Sequence, residues 1–356
     1  MRKGNNDNEL TGVKEIARRA KVSIGTVDRV IHNRVGVSQK TKNIILDIIK
    51  EMDYQPNIFA RQLASKKVLN FAAIIPKIST ETEFWSAPLS GIEQAEQEIK
   101  RYGITVERFF FDQNDKATFI EQTKKILKGR IDGVLLAPSF IEESIKFTQA
   151  CKRKKIPYVL INSDIPNGDS LSYIGPNLYY SGYQSAHLFN YSMKKNSKVL
   201  IVNIAKEIDN EHYLLKKEEG FRAYFKDNHN KIEIIKTDIL ETDFLSVSKN
   251  LSNMLAVNKN IQGIFVTNSR VFSVARFLQE ANIKNIFLIG FDFLNENIEY
   301  LKKGAIDFLI CQKPQEQGYR GIMALYQHLI FNEPVEKKYF MPIDIITKEN
   351  YSFYRN

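Results

Sequence analysis

Groups able to read a DNA duplex lie close together near the amino end of the chain. Ser23, Ile24 and Gly25 open a short amphipathic segment. Arg29 follows one helical turn later, and its planar fork matches the O6 and N7 atoms of guanine in a major groove. Hydroxyl and amide groups suited to phosphate oxygens surround this segment, at Ser23, Thr26, Asn33, Ser38 and Thr41. The pattern predicts a DNA-reading head, with a small helical bundle that has a basic solvated face as the alternative.

The distribution of charge favours the same prediction. Residues 1–67 carry fourteen Lys or Arg against seven Asp or Glu, a net charge of +7 out of +10 for all 356 residues. The other 289 residues carry 37 basic and 34 acidic side chains, which leaves them nearly neutral. A short basic head on a nearly neutral body indicates a polyanionic partner for the head alone.

Three helical patterns must position these groups. The first has apolar residues at helical spacing over 13–20, and Ser23 is a candidate N-cap for a second helix that ends near Ile31. Ser38 is a candidate cap for a third helix over 39–52, whose predicted buried residues are Ile44, Ile45, Ile48 and Ile49. The short turn between the first two helices predicts an all-α helix-turn-helix head over residues 1–55. Residues 56–67 are predicted to be a hinge helix or linker that needs a partner to become ordered.

The same residues carry a specific resemblance to a known family. The stretch VKEIARRAKVSIGTVDRVIHN at 13–33, with VSQKT at 37–41, resembles the DNA-binding head of the LacI/GalR transcription regulators. The stretch YQPN at 54–57, with ARQLA at 60–64, resembles the hinge of that family. The resemblance implies that base edges are read by Ile24, Gly25, Asp28 and Arg29. It also implies minor-groove contacts in which Leu63 wedges between base pairs, from a hinge set of Asn57, Ala60, Leu63 and Ala64.

Two residues depart from the usual pattern of the family. Asp28 stands where the family usually has Ser or Thr, and its carboxylate must accept from a cytosine amine or pair with a base-reading arginine. Gly25 has no side chain, so it reads by close approach or not at all. Both departures change the expected operator sequence and leave DNA binding itself in place.

The rest of the chain alternates short apolar runs with longer amphipathic stretches. Predicted strands are 71–75, 106–111, 133–137, 158–161, 199–204, 232–235, 263–266 and 286–290. Predicted helices are 89–102, 119–127, 144–154, 180–195, 211–227, 244–257 and 271–281. This alternation predicts an α/β body of two doubly wound parallel-sheet lobes with a cleft outside the carboxyl ends of their strands.

The body also resembles the periplasmic-binding-protein-like sensor of the same family. On that resemblance, residues 68–175 and 306–332 are expected to form the N-terminal lobe. Residues 176–305 and 333–356 are expected to form the C-terminal lobe. The chain would cross between the lobes near 174–176, 304–307 and 331–334.

Candidate ligand-binding residues follow from this likeness. Phe84 and Trp85 match the paired aromatics that face a sugar, because aromatic rings suit the apolar faces of pyranoses. Asn162 stands where relatives usually carry an aspartate, with Asp164 as a possible substitute. Further expected ligand contacts are Lys217, Asn268, Asp292 and Gln312.

Structural explanations for these residues stay open. Phe84 and Trp85 would also pack at a helix start, Asp292 would also cap a helix, and Asn268 would also form an Asx-turn. Asn162 stands in place of the usual aspartate, and Lys217 stands where an arginine often reaches the ligand in relatives. These two differences indicate a ligand other than the common hexoses, and the cationic Lys217 suits a phosphorylated or acidic saccharide.

Other protein classes lack sequence support. No two of the 17 glycines are two residues apart, which excludes a Gly-x-Gly dinucleotide fingerprint. The one glycine pair four residues apart, Gly129 and Gly133, has Ile131 between them instead of a serine, which excludes a Gly-x-Ser-x-Gly nucleophile elbow. The five histidines and two cysteines show no metal-ligand spacing, so no metal, cofactor or enzymatic activity is expected. No signal peptide and no membrane-length apolar run is present, and we expect a cytoplasmic protein with buried or half-buried thiols at Cys151 and Cys311.

Together these features predict a homodimeric transcription regulator that reads a pseudo-palindromic operator and is controlled by a small saccharide or sugar phosphate. The resemblance implies repression relieved by ligand, with co-repression and activation as alternatives. A stand-alone saccharide-binding protein and a sugar-modifying enzyme are the competing hypotheses. No heptad repeat occurs over 347–356, which predicts dimers rather than tetramers held by a tail.

Overall fold

The computed structural model describes residues 12–31, 35–52, 54, 68–79, 83–194, 197–206, 212–228 and 232–356. These residues fall into two compact units, the head (12–54) and the body (68–356). Among the described residues, no helix is both long enough and apolar enough to cross a membrane.

Three helices form the head: α1 (Val13–Ala20), α2 (Ile24–Ile31) and α3 (Gln39–Glu51). Both predicted caps are confirmed. Ser23 Oγ accepts from the backbone N–H of Thr26 at 3.1 Å, and Ser38 Oγ accepts from that of Thr41 at 3.2 Å. These bonds satisfy backbone donors that a helix start leaves unpaired, so they fix where α2 and α3 begin.

The core of the head is small and apolar, formed by Ile16, Ala17, Val27, Val30 and Ile45. Ile48 and Ile49 pack against it as predicted. Ile44 does not, since it is 44% exposed. Ile45, Ile48 and Ile49 recur at three- and four-residue spacing, and Ile44 lies about 100° away from Ile45 around the helix axis.

Two six-stranded sheets form the described body, one in each lobe. The first-lobe sheet contains β1 (Leu69–Pro76), β2 (Ile104–Phe111), β3 (Gly133–Leu136), β4 (Tyr158–Ile161), β5 (Ser172–Pro176) and β11 (Lys338–Met341), in the order β11-β5-β4-β3-β1-β2. The second-lobe sheet contains β6 (Lys198–Ile204), β7 (Glu233–Ile239), β8 (Ile261–Val266), β9 (Phe287–Phe291), β10 (Phe308–Cys311) and β12 (Asp344–Ile346), in the order β12-β10-β9-β8-β6-β7. All neighbouring strands are parallel except the antiparallel pair β10–β12.

Helices follow the strands and cover both faces of each sheet. They are α4 (Ser86–Ile99), α5 (Lys116–Lys128), α6 (Ile141–Arg153), α7 (Leu178–Ser192), α8 (His212–Asp227), α9 (Phe244–Val257), α10 (Val271–Glu280), α11 (Asn295–Lys302) and α12 (Pro314–Tyr326). Successive residues of β1 are buried on opposite faces of the sheet. Ala73 lies in the core that α4 and α12 cover, and Ile74 lies in the core that α5 and α6 cover. The second sheet is enclosed in the same way by α9 and α10 on one face and α7 and α8 on the other. The two predicted doubly wound lobes are therefore confirmed.

The chain passes between the lobes three times, and two of these crossings differ from the prediction. Residues 308–311, assigned above to the N-terminal lobe, lie in the second sheet, parallel to β9. Residues 338–341, assigned to the C-terminal lobe, lie in the first sheet beside β5. The chain continues the β9–α11–β10 crossover before it leaves the second lobe, so the crossings fall at 177, 312–313 and 342–343.

One closely packed helix pair in each lobe depends on glycine. In the first lobe, a Cβ at Gly91 on α4 would overlap the backbone of Gln315 on α12. In the second, a Cβ at Gly182 on α7 would overlap the backbone carbonyl of Lys217 on α8. Glycine removes the side chain that would hold the helices apart, and this contact sets the position of Lys217.

Candidate functional site

The predicted base-reading residues share one face of α2. Ile24 is 51% exposed, Gly25 and Arg29 are exposed, and Asp28 is half-buried. The opposite face of the helix buries Val27 and Val30 in the core of the head. The core of the head thus anchors one side of α2, while the other side presents an arginine and an exposed apolar side chain. Such a helix has the form needed to enter a major groove.

The predicted phosphate-binding hydroxyls lie at the two helix starts. Ser23 Oγ is 3.0 Å from Thr26 Oγ1, and Ser38 Oγ is 2.8 Å from Thr41 Oγ1. Both serines already serve as caps, so a phosphate would have to share these hydroxyls. The remaining predicted DNA contacts, Asn33, Asn57, Ala60, Leu63 and Ala64, lie outside the described residues.

An open cavity, here called the inner cavity, lies between the two lobes. The first lobe contributes Phe84, Trp85, Gln113 and Asn162 to its lining. The second lobe contributes Tyr213, Lys217, Asn268, Ser269 and Asp292, and the crossing that follows β10 contributes Gln312. Seven of the eight predicted ligand contacts therefore line one cavity.

Strand topology explains why these residues meet. Asn162, Asn268, Asp292 and Gln312 follow directly, or within two residues, the carboxyl ends of β4, β8, β9 and β10. In parallel sheets these ends lie at one edge, which is where ligands of open α/β folds bind.

Asp292 and Gln312 form the polar floor of the inner cavity. Gln312 Nε2 donates to Asp292 Oδ1 at 3.1 Å, while Gln312 Oε1 is buried and has no hydrogen-bond partner. Burial raises the pKa of Asp292 to about 6. Asp292 does not cap the following helix, whose N-cap is Leu294. An orphaned acceptor beside a buried carboxyl has the chemistry to take ligand hydroxyl donors.

Gln317 ties this floor to the first lobe. Its Nε2 donates to the backbone carbonyl of Gln312 at 2.8 Å, and its Oε1 accepts from the backbone N–H of Asn162 at 2.9 Å. Gln317 is 1% exposed and is not among the residues predicted to bind ligand. Its signal in the sequence is weak, because a single glutamine in a helix is usually a surface residue.

Lys217 is a buried cation at the edge of the inner cavity. Its Nζ donates to the backbone carbonyl of Thr267 at 3.0 Å and lies 3.4 Å from the ring centroid of Phe291. Burial lowers the pKa of Lys217 to about 8, and the negative charge of Asp292 opposes that shift. The ammonium is thus partnered by a carbonyl, an aromatic face and a carboxyl at long range, and is only 2% exposed.

Asn268, Phe84 and Trp85 also have structural roles, as their sequence positions allowed. Asn268 Oδ1 accepts from the backbone N–H of Arg270 at 3.2 Å, which is an Asx-turn, and its Nδ2 donates to the Ile204 carbonyl at 2.7 Å. Phe84 and Trp85 pack edge to face with centroids 5.1 Å apart in the core that α4 and α12 share. Each of the three also lines the inner cavity, so packing and a role at the site coexist.

Asp164 is the exception among the predicted ligand contacts. It is not among the described residues that line the cavities between the lobes. Its Oδ1 lies 3.2 Å from His212 Nε2 at the start of α8. Asn162, two residues earlier, takes the place in the cavity lining, with a φ of 68° in the left-handed region where asparagine is tolerated.

A second open cavity, the outer cavity, adjoins the inner one and shares Gln113, Tyr213, Asn268 and Ser269 with it. Its remaining lining residues are Asn114, Phe140, Ile204, Ala205, Lys206 and Arg270. This cavity was not predicted from the sequence, although polar residues after β2 and β8 marked two strand ends that face it. Among the described residues, no group of three or more His, Cys, Asp or Glu side chains is arranged to hold a metal ion.

Comparisons with known proteins assign each part of the chain. Residues 12–57 match the model of the bacterial regulatory proteins of the lacI family, and residues 72–333 match the periplasmic binding protein domain. The HTH-type transcriptional regulator RegA of Clostridium acetobutylicum is 31% identical over 151 residues, 42% of this chain and 43% of RegA. Catabolite control protein A of Staphylococcus epidermidis is 30% identical over 152 residues, 43% of this chain and 44% of that protein. The chain thus aligns with less than half the length of these two relatives.

Longer matches cover more of the fold. RegA of Clostridium saccharobutylicum is 25% identical over 348 residues, 96% of this chain and 99% of RegA. The structure of a Bacteroides fragilis protein assigned to the LacI transcriptional regulators has a TM-score of 0.75 and 28% identity, covering 81% of this chain and all of that one. GanP, a glucose-galactose binding protein of Geobacillus stearothermophilus, has a TM-score of 0.71 and 19% identity over 80% of this chain and 99% of its own, a likeness of fold alone.

Proposed function

Because the chain belongs to the lacI family of bacterial regulatory proteins, we propose that it is a sequence-specific DNA-binding transcription regulator controlled by a small sugar-like ligand. The observation that carries the proposal is the inner cavity, which is lined by side chains of both lobes and lies at the carboxyl ends of their strands. A ligand bound there contacts both lobes at once. It can therefore favour one arrangement of the lobes over another through its different affinity for each.

DNA recognition is assigned to the exposed face of α2. Arg29 reads a guanine through two parallel hydrogen bonds, and Ile24 contacts a thymine methyl or an apolar base edge. Gly25 lets the helix approach the groove closely. The hydroxyl pairs at the starts of α2 and α3 contact phosphates and fix the register of the head on the duplex.

Ligand recognition is assigned to three kinds of group in the inner cavity. Phe84 and Trp85 offer apolar faces, Asp292 and Gln312 accept from hydroxyls, and Asn162 offers an amide from the opposite lobe. Gln317 hydrogen-bonds both to Gln312 and to Asn162, so a displacement of either residue on ligand binding is passed on to the other. Ligand and DNA then affect each other's affinity through one coupling free energy.

The active form is proposed to be a cytoplasmic homodimer whose two heads bind a pseudo-palindromic operator, with Leu63 of each hinge in the minor groove. Ligand-relieved repression is the proposed mode of control. The chain is proposed to have no enzymatic activity, since its recognition groups account for binding without a nucleophile or a paired acid and base.

Selection of binding sites from random DNA, followed by gel shift of the selected duplex, tests the proposal. A regulator binds the selected duplex far more tightly than random DNA, and its affinity falls steeply with salt as phosphate counterions are released. Failure to retain any duplex at low salt, with saccharide binding intact, would identify a stand-alone binding protein instead. Turnover of a saccharide during the binding assays would identify an enzyme.

A further inference from the structure

The segment that follows β12, here called the strap (residues 347–356), brings the chain back to the carboxyl end of β10. β12 is antiparallel to β10 and leads away from that end. The side chain of Asn350 then makes a turn, in which Oδ1 accepts from the backbone N–H of Thr347 at 2.7 Å and Nδ2 donates to the Ile345 carbonyl at 3.1 Å. These bonds fix the course of the strap, and Tyr354 enters the core of the second lobe, where it is 8% exposed.

Tyr354 contacts the residues that directly follow the two floor residues of the inner cavity. Its ring centroid lies 4.8 Å from that of Phe293, which follows Asp292. Its hydroxyl oxygen accepts from the backbone N–H of Lys313, which follows Gln312, at 3.3 Å. Tyr354 is not among the described residues that line the inner cavity. It therefore supports the floor from behind and leaves the ligand side free.

The backbone that Tyr354 supports has an uncommon conformation at two places. Asp292 and Lys313 lie in the left-handed region, with φ of 73° and 49°. Residues with side chains rarely adopt this conformation, and it persists where surrounding contacts hold it in place. The two residues follow the neighbouring parallel strands β9 and β10, so one side chain between the strand ends can hold both turns. Tyr354 occupies that position.

The side chain of Lys313 strengthens the hold of the strap on the crossing at 312–313. Its Nζ donates to the backbone carbonyl of Arg355 at 2.9 Å and lies 5.0 Å from the ring centroid of Tyr354. On the other side, the backbone carbonyl of Gln312 accepts from Gln317 of the first lobe at 2.8 Å. The crossing that carries one floor residue is thus held by the strap and by α12.

The contact with Phe293 also bears on the aromatic wall of the inner cavity. Leu294, the next residue, is 9% exposed and belongs to the same apolar core as Phe84 and Trp85. The three consecutive residues 292–294 therefore supply the carboxyl of the floor, the contact with the strap and a contact with the wall. A displacement of Phe293 would move its two neighbours with it.

We propose that Tyr354 is a positioning residue for the ligand site, which holds the turns at Asp292 and Lys313 so that the inner cavity has its binding shape before a ligand arrives. The proposal rests on the proposed function, which assigns ligand binding to this cavity. It adds a residue that sets ligand affinity without touching the ligand. A site that is already ordered binds more tightly, because ordering it does not consume part of the binding free energy.

Three variants of the full-length chain separate the contributions of ring and hydroxyl. Tyr354→Phe keeps the ring beside Phe293 and removes the acceptor for the backbone N–H of Lys313. Tyr354→Leu removes both contacts. Phe353→Leu is the matched control, because it also replaces an aromatic ring of the strap by leucine, and Phe353 is 79% exposed.

Trp85 reports on the cavity without any ligand. It is the only tryptophan in the chain and lines the inner cavity, and it is 2% exposed. In acrylamide quenching of its fluorescence we expect a quenching constant about twofold higher for Tyr354→Leu, because the cavity then opens locally more often. Tyr354→Phe should show a smaller rise, and Phe353→Leu should match the parent chain. Equal quenching of Tyr354→Leu and the parent chain would overturn the proposal.

Titration with glucose, galactose, arabinose and ribose, followed by Trp85 emission, measures ligand affinity. For each sugar that the parent chain binds, we expect Kd to rise up to about fivefold in Tyr354→Phe, the effect of one neutral hydrogen bond, and further in Tyr354→Leu. Phe353→Leu should keep the parent value. Urea unfolding of each variant supplies the comparison with a merely structural role. A lowered free energy of unfolding with unchanged quenching and unchanged Kd of the folded chain would overturn the proposal.

The positioning role and the proposed function fail in different ways. Sugar binding of equal strength in the parent chain and in Tyr354→Leu overturns the positioning role and leaves the assignment of a sugar to the inner cavity intact. A parent chain that binds none of the four sugars contradicts that assignment for them, and the quenching comparison still decides the role of Tyr354.

Discussion

His212 Nε2 lies 3.2 Å from Asp164 Oδ1, and this contact joins the start of α8 in the second lobe to the segment after β4 in the first. The hydrogen bond from His212 is the largest cause that lowers the pKa of Asp164. The pair lies outside the cavity linings, so it bears on the arrangement of the lobes rather than on ligand contact. Asp164, expected from the sequence to bind ligand, makes this interlobe contact in the structure.

Breaking this pair should loosen the contact between the lobes. His212→Gln and Asp164→Asn are each expected to lower the free energy of unfolding, with a coupling energy of up to about 1 kcal/mol in the double-mutant cycle because the pair is partly exposed. The pKa of Asp164 is lower in the folded chain than in the unfolded chain. Its contribution to the free energy of unfolding is therefore fully present above the unfolded pKa and is lost as the pH falls through the folded pKa. Urea unfolding at pH 7 and at pH 3 measures both effects. The exposed first-lobe pair Lys152–Asp169 provides the control cycle.

The buried carboxyl of Asp292 should give the ligand-free chain an unusual pH dependence. Its folded pKa of about 6 lies above the ordinary value of 3.8. Between these values the folded chain holds a proton that the unfolded chain releases, so this residue makes the free energy of unfolding fall as pH rises from about 4 to about 6. The shift corresponds to about 3 kcal/mol. Urea unfolding at a series of pH values measures the slope.

Asp292→Asn isolates that contribution, since other carboxyls such as Asp112 and Asp243 have lowered pKa values and act in the opposite direction. The difference in unfolding free energy between the variant and the parent chain should change across pH 4–6 and be nearly constant between pH 6.5 and 7.5. A difference that stays constant from pH 4 to 6 would show that the Asp292 carboxyl is not shifted.

Gly182 should be indispensable to the ligand site although it lies outside the cavity lining. Gly182→Ala places a Cβ against the backbone carbonyl of Lys217 and forces α7 and α8 apart. We expect a loss of about 1–3 kcal/mol in unfolding free energy, as for an overpacked core, together with weaker ligand binding because Lys217 moves. Urea unfolding and calorimetric titration give the two readouts.

Gly129→Ala is the matched control for Gly182, because an added Cβ there meets its nearest atom, the Lys125 carbonyl oxygen, at an ordinary 3.5 Å. Its unfolding free energy and ligand affinity should stay close to those of the parent chain. Equal behaviour of the two alanine variants would mean that the α7–α8 contact adjusts without cost.

Arg29→Ala tests base reading by α2. If the guanidinium reads a guanine, the substitution costs about 1–3 kcal/mol on the selected operator and little on random DNA. Gel shift or fluorescence anisotropy with both duplexes at a fixed salt concentration measures this. An equal loss on both duplexes would reassign Arg29 to phosphate contact.

The sequence predicted which residues line the inner cavity more completely than it predicted the connections between the lobes. Apolar runs such as Phe71–Ile75 are recognisable because a strand buried on both faces needs continuous apolar residues, and polar residues at strand ends then mark the cleft. Strands β5, β10, β11 and β12 were not predicted. Of these, β11 and β12 lie at sheet edges, where burial is incomplete and no continuous apolar run marks the strand. The sheet that a short strand joins depends on its neighbours in space, which local periodicity does not encode.

Asn162 and Asp164 illustrate the same limit at the level of single residues. Both follow β4, and nothing in residue type distinguishes the one that lines the cavity from the one that pairs with His212. The left-handed backbone at Asn162 turns the chain, and the direction of the following side chains depends on that turn. The outer cavity was missed for a related reason, since Lys206 and Arg270 become neighbours only through the pairing of β6 with β8.

The three crossings between the lobes have a consequence for how the protein is made. The first lobe takes α12 and β11 from the far end of the chain, and Ile322 and Leu325 of α12 fill its core. A ribosome that has synthesised residues up to 311 has therefore delivered every strand of the second lobe except β12, while one face of the first-lobe sheet is covered by α4 alone. The lobe that begins to emerge first is completed almost last. Its apolar sheet face is the surface that a chaperone would have to shield during translation.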